Sequence, residues 1–252
     1  MFVSKIITHG GRHHADEVLS CALLMRALDL KESAIERVFK VEQKHLDDLR
    51  CAVVDVGGEF EPKKWNLDHH QDEELSASNI LVLHALFENM LVDKYEFDAM
   101  ASMFKVVSMV DIGKVSALPD SFTSMIRRTS DFSSALKLAL LVVDGMLNQA
   151  DQLRVNDSNW KKYKINGKWA IAPINCFVSD WRARGINYLV TPGRENFHSD
   201  IDGDWNIMSR DSDILPIPFK VGENGVTFVH NGKFMCVVKG MNNATRLVKT
   251  LV

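Results

Sequence analysis

Val3-Ser4-Lys5-Ile6-Ile7-Thr8-His9-Gly10-Gly11-Arg12-His13-His14-Ala15-Asp16-Glu17 is an apolar run, a glycine turn and a histidine-rich entry into a helix. The run predicts a strand buried at its end, feeding the turn His9-Gly10-Gly11. From about Ala15 a helix is expected, because Val18, Leu19, Ala22, Leu23 and Met25 recur on one broad apolar face. Residues 34–39 predict a second strand. Residues 51–58 predict a third, wholly apolar up to Asp55 as buried parallel strands are. Helices are expected at about 78–91, 97–111 and 133–149. Strand–helix–strand alternation argues for a parallel α/β sheet whose strand C-termini carry the site.

The remaining sequence bounds the class. With 252 residues, 46% apolar and 25% charged, the composition is that of an ordinary globular chain. The length makes two domains the first expectation. No apolar run approaches the roughly 20 residues of a membrane span. The N-terminus shows neither a signal-peptide core nor an Arg-rich transit segment, and Cys21, Cys51, Cys176 and Cys236 form no C-x-x-C pair. A cytoplasmic protein with reduced thiols is expected.

Composition turns polar at 151–163, where the domain boundary is expected. Beyond it, short strands at about 168–173, 187–191, 204–209, 226–230 and 234–238 alternate with Gly, Pro and Asn turns, and a helix at 241–251 ends the chain. Residues 1–162 carry 19 Lys and Arg against 25 Asp and Glu; residues 163–252 carry 11 against 8. An acidic half beside a mildly basic half suits cations in one and anions in the other. A net charge of −3 disfavours a long nucleic-acid footprint, and neither a P-loop nor a G-x-G-x-x-G is present.

Five of the nine histidines fall in the stretches 9–14 and 67–71. Asp55 lies between them, and Asp111 stands before Gly113 at a helix end. Mixed His and carboxylate donors suit manganese, zinc, iron or cobalt. A carboxylate that bridges two ions roughly 3.5–4 Å apart lets them clamp a phosphoryl group and activate water. A lone Asp at a strand end is ordinarily a turn former, and a lone His-His pair an accident of the surface. Three such clusters at loop ends of one sheet are not explained that way.

Asp68-His69-His70 resembles the signature triplet of the DHH phosphoesterase superfamily, which includes RecJ-type exonucleases, oligoribonucleases and manganese-dependent pyrophosphatases. Together with Thr8-His9-x-Gly11-x-x-His14-x-Asp16-Glu17 and Val54-Asp55-Val56-Gly57-Gly58-Glu59, it resembles specifically the Myg family, whose eukaryotic members act as 3′–5′ exoribonucleases. The resemblance extends more weakly through Trp205, Leu215-Pro216-Ile217-Pro218 and Phe228-Val229-His230. It implies an α/β fold: an N-terminal parallel-sheet DHH-type domain at 1–155 and a smaller C-terminal α+β domain at 163–252, across a cleft. It also implies that His9 and His14 ligate one metal and Asp16 the other. Asp55 would bridge, with His69 and Asp111 completing the second metal. His70 would face the phosphate as a charge stabiliser or proton donor, with Asp68 orienting a histidine. The cofactor implied is two Mn2+, with Mg2+ or Co2+ as substitutes.

Three departures stand out. His13 replaces an aromatic residue and is assigned no metal role. Where the family has Asp-x-x-Asp-Asn-Gly, this chain has Ser108-Met109-Val110-Asp111-Ile112-Gly113. Beyond Phe234, a glycine pair and Lys-Thr are replaced by Met235-Cys236-Val237-Val238-Lys239-Gly240. In the second domain, His230, Asn231, Lys233 and Arg210 are the candidate substrate contacts. Arg194 reads as ordinary surface charge. Trp160, Trp181 and Trp205 are candidates for base stacking, and Trp169 reads as core. The expected partner is single-stranded RNA or a short oligonucleotide, with no membrane and with room for a homodimer. The function expected is a metal-dependent phosphodiesterase of 3′–5′ exoribonuclease type. The alternatives are a hydrolase of a small phosphoanhydride or cyclic dinucleotide, and a catalytically silent nucleotide- or RNA-binding module.

Overall fold

The computed structural model describes residues 3–160, 163–172, 181, 184–193 and 203–252. Arg194 and Cys176 lie outside the described residues. The chain forms two units, Met1–Asp151 and Gln152–Val252.

In the first unit, β1 (Lys5–His9) runs parallel to β2 (Ile35–Val38) on one side and β3 (Cys51–Val54) on the other. β5 (Asn66–Leu67) is parallel to β3, and β4 (Phe60–Glu61) closes that edge antiparallel. The order is β2-β1-β3-β5-β4. β3 is buried along its whole length, which accounts for its lack of apolar–polar alternation. Register then does the positioning. Thr8 pairs with Val54 and Val54 with Leu67, so the residues that follow, His9, Asp55 and Asp68, lie side by side at one sheet edge.

Helix α1 (Ala15–Ala27) buries every residue from Ala15 to Met25, more than the single face its pattern predicts. It packs against α3 (Ser78–Glu88) and α4 (Lys94–Asp111) as well as the sheet, so no flank is left to solvent over those turns. Truncating a fully enclosed side chain such as Leu19 to Ala would cost about 2–5 kcal/mol. Asn79 Nδ2 donates to the Phe104 carbonyl at 2.7 Å, tying α3 to α4. Asp93 and Glu96 form a reciprocal capping box at the α4 N-terminus, which starts that helix three residues before the expected Phe97. Two short helices, α2 (Gln43–Leu46) and α5 (Phe122–Arg127), lie between these elements in sequence.

The two units divide within the expected 151–163 stretch, and the helix α6 (Phe132–Trp160) runs through that division where a linker is expected. Asp151, Gln152 and Ser158 are exposed on that helix, while Ala150 and Trp160 are buried. No glycine or proline occurs between Gly145 and Gly167 to end it. The second unit holds a mixed six-stranded sheet of order β10-β11-β9-β8-β7-β6. Its strands are β6 (Lys164–Asn166), β7 (Trp169–Ile171), β8 (Tyr188–Pro192), β9 (Asp204–Ser209), β10 (Val226–Val229) and β11 (Met235–Lys239). Among the described strands of this unit, only β7 and β8 pair in parallel. α7 (Met241–Val248) packs on this sheet through Ala244, Leu247 and Val248.

Candidate metal centre

Asp55 adopts a left-handed backbone (φ 59°) immediately after β3, a strained position that Asp tolerates better than most residues. Its carboxylate is buried. His9 Nε2 lies 3.3 Å from Oδ2, and His69 Nε2 lies 3.2 Å from Oδ1. The Ser78 hydroxyl, at the start of α3, donates to Oδ1 at 3.2 Å. His69 Nε2 is also 3.4 Å from Asp111 Oδ2, the last residue of α4. Burial works against the Asp55 charge, yet His69 and His9 hold its carboxyl far below the usual carboxylate range.

Donor atoms gather in three overlapping groups: His9, His14 and Asp55; Asp55, His69 and His70; and His14, Asp16 and Asp111. All six expected metal residues therefore converge. The resemblance assigns His9 and His14 to one ion and Asp16 to the other; the His14 ring is grouped with His9 and Asp55 and also with Asp16 and Asp111. The reason is local: His14 precedes α1 and Asp16 lies in its first turn, so both approach the same sheet edge.

Asp16 decides whether these residues fit a cation. Its side chain is fully buried and neither carboxylate oxygen has a hydrogen-bond partner. Burial, then the neighbouring charges of Asp55 and Asp111, push its carboxyl well above the usual range. An enclosed carboxylate without donors, facing two others, suits a multivalent cation better than it suits folding alone. His9 reports the same field. Burial lowers its affinity for a proton, but Asp55 and Glu17 outweigh that and raise its pKa to about 10.

Glu17 follows Asp16 in the first turn of α1 and carries no expected role from the motif. It is fully buried, with one carboxylate oxygen against His9 Nε2 and the other accepting from Arg37 Nη2 at 3.0 Å. Arg37 also donates to the Gly11 carbonyl at 3.2 Å and stacks on Phe132 at 4.3 Å. Consecutive acids in the first turn of a helix are the signal in the sequence.

Asp68 accepts four hydrogen bonds: from the backbone of Gly58 (2.6 Å), His69 (2.8 Å) and His70 (3.2 Å), and from His70 Nδ1 (2.7 Å). These bonds outweigh burial and lower its pKa. The bond to Asp68 in turn raises that of His70. The His70 ring is thus anchored through Nδ1, with its side chain more than half exposed. His13 points elsewhere, its Nε2 at 2.7 Å from Thr129 Oγ1 and 3.2 Å from the Ile126 carbonyl. It ties the loop before α1 to α5 and the turn that follows it.

The substrate candidates lie in the second unit. His230, Asn231 and Lys233 occupy the turn between β10 and β11, closed by a bond from Lys233 N to the His230 carbonyl at 2.8 Å. His230 packs against Phe234 with centroids 4.1 Å apart. Arg210 follows β9 at the same end of the sheet, where Ser209 N donates to the Phe234 carbonyl. Trp160, Trp169, Trp181 and Trp205 are all buried, so the three offered as stacking platforms are core residues instead.

Residues 5–80 match the model of the uncharacterised protein family UPF0160, the MYG1 exonuclease model. The likeness to the MYG1 family is confined to residues 5–80. The segment is 43% identical over 67 residues to the MYG1 exonuclease of Bos taurus, covering 27% of this chain and 17% of that protein. Against the Homo sapiens MYG1 exonuclease the identity is 42%, with the same coverage. The chain thus spans about a sixth of the length of these relatives. Every motif up to His70 lies in the matched segment, whereas Asp111 and the second unit lie beyond it. Among solved structures, the pGpG-specific phosphodiesterase PggH of Vibrio cholerae aligns over 98% of this chain and 97% of its own at 11% identity. The TM-score of 0.33 is too low for any shared detail.

Proposed function

We propose that this chain is a metal-dependent phosphodiesterase that removes nucleotides from RNA or short oligonucleotides in the 3′–5′ direction. One observation carries the reading: parallel register sets His9, Asp55 and Asp68 side by side, and α1, α3 and α4 bring His14, Asp16, Ser78 and Asp111 to that edge. The MYG1-like segment supports the same reaction class.

His9, His14, Asp16, Asp55, His69 and Asp111 would hold two ions of manganese type. When bound, such ions supply a hydroxide at neutral pH and neutralise charge on the phosphoryl oxygens. The chain's own residues do the rest. Asp55 fixes the spacing of the two halves of the site from a buried strand end. Asp68 holds His70 through Nδ1, leaving Nε2 to carry a proton toward the oxygen that leaves. Glu17 and Arg37 hold the His9 ring in place. In the second unit, the 230–233 turn and Arg210 place cations and a ring at one end of its sheet.

The test is incubation of the full chain with manganese and end-labelled RNA and DNA oligomers, reading product length and polarity. Stepwise release of mononucleotides from the 3′ end, abolished by chelator and by Asp55→Asn, is expected. A neutral amide bridges two cations poorly, so the variant should remain folded but inactive. Full activity of Asp55→Asn in metal-depleted buffer overturns the two-metal reading. Binding of RNA without turnover would make the chain a silent binding module.

A further inference from the structure

Between α3 and α4 lies a cavity of about 580 Å³ that the catalytic reading does not use. It is within the size range of small-molecule sites, roughly 300–1,000 Å³. Ile80, Leu83, Phe97, Ala101, Met109 and Ile112 form its walls, and the His84 and Phe97 rings meet edge to face across 5.2 Å. Ser108 adds a hydroxyl that already bonds the Ala77 N–H at 3.0 Å, so the cavity reads few polar groups. A second cavity of about 520 Å³ is lined by His69 and His70. Both cavities are bounded by Ile112 and Lys114, so the apolar chamber adjoins the metal centre through those two side chains.

Resting on the phosphodiesterase reading, we propose that the α3–α4 chamber is a subsite for the terminal nucleobase of the substrate, with its phosphate passing Lys114 toward His70. Three features select this occupant. Apolar walls and an aromatic pair suit a planar ring system and contact any base without distinguishing its edges. Lys114 at the junction and Lys105 at the apolar chamber supply positive charge beside an acidic centre. Asp72, Glu73 and Glu74 also line the His70 cavity and repel additional phosphates, which favours a chain end over a continuous strand. Ser108 and Ile112, which flank Asp111 in sequence, both line the chamber.

Calorimetric titration of the full chain in manganese buffer with adenosine 5′-monophosphate and with ribose 5-phosphate tests this directly. The two share a phosphate, so their ratio isolates the base. The nucleotide is expected to bind at least tenfold more tightly. Ala101→Trp, which fills the chamber well away from Asp111, should erase that advantage while leaving ribose 5-phosphate unchanged. Lys105→Glu, on an exposed position that folding tolerates, should weaken the nucleotide. Equal binding of the two ligands by the wild type, or undiminished nucleotide binding by Ala101→Trp, overturns the subsite. Selective nucleotide binding without hydrolysis of any oligomer would sustain the subsite and count against the catalytic reading. Hydrolysis with base-indifferent binding would do the reverse.

Discussion

Arg37 donates to Glu17 across 3.0 Å, on the carboxylate oxygen opposite the one that faces His9. The pair links β2 to the first turn of α1 and stands directly behind the candidate metal centre. Burial pushes the Glu17 carboxyl upward, and His9 and then Arg37 pull it back. Arg37→Met would leave a buried carboxylate with one partner fewer. Breaking such a pair costs about 3–5 kcal/mol when both members are enclosed, and about 2–3 is expected here because Arg37 keeps some water contact. Urea unfolding should show this loss. Adding Glu17→Gln to Arg37→Met should recover part of it, since no uncompensated charge remains. Additive losses in the double variant would show that the two residues do not act as a pair.

Asp16 should behave oppositely in the presence and absence of metal. Its enclosed carboxylate has no donor, so in chelator Asp16→Asn is expected to raise the melting temperature. With manganese present, the same variant should lose most of the stabilisation that the wild type gains. A lower melting temperature for Asp16→Asn in chelator would mean that the carboxylate serves the fold rather than a cation.

Away from the centre, Asp131 precedes α6 and accepts hydrogen bonds from Ser130 Oγ and from Ser134 N, the latter at 2.8 Å. These bonds lower its pKa from 3.8 to about 2. A carboxyl depressed in the folded state stabilises it above the unfolded pKa and loses that contribution as pH falls through the folded one. The wild type should therefore melt slightly higher than Asp131→Asn above about pH 4, with the difference vanishing near pH 2. A difference independent of pH would assign the effect to the cap geometry rather than the charge.

The first strand, the glycine turn and α1 are legible because an apolar run and a helical period abut there, and β3 announces itself by four apolar residues ending at Asp55. β4 and β5 are not legible. Two residues each cannot show a period, and Asn66-Leu67 looks like loop until pairing with β3 makes it a strand. The polar 151–160 segment marks where the units divide but not that a helix continues through it, because polar composition suits an exposed helical turn as readily as a linker. At the site, His9, Asp55 and His69 can be read from their positions at strand ends. Glu17 shows only as the second of two acids in a first helical turn; its role depends on Arg37, twenty residues away on a strand that only the sheet order places beside β1. The tryptophans fail as stacking candidates for a related reason: sequence gives their number, and only packing gives their exposure.

His70 and Asp68 should act as one unit. The carboxylate accepts from His70 Nδ1 at 2.7 Å while three backbone N–H groups hold it in place, which fixes the ring and directs Nε2 outward. If His70 passes a proton to the leaving oxygen, His70→Ala should lower kcat by about 10²–10⁴, the usual range for a positioned acid, with little change in KM. Asp68→Asn presents an amide where a carboxylate accepted four donors, so the ring loses both its orientation and its preferred tautomer. It should lower kcat nearly as far while leaving KM alone. The double variant should then be no slower than His70→Ala, because a residue that acts only through the ring has nothing left to position. Steady-state kinetics on a short RNA with saturating manganese would read all three. Multiplying losses would give Asp68 a separate task, and a rise in KM without change in kcat would make His70 a binding contact rather than a proton carrier.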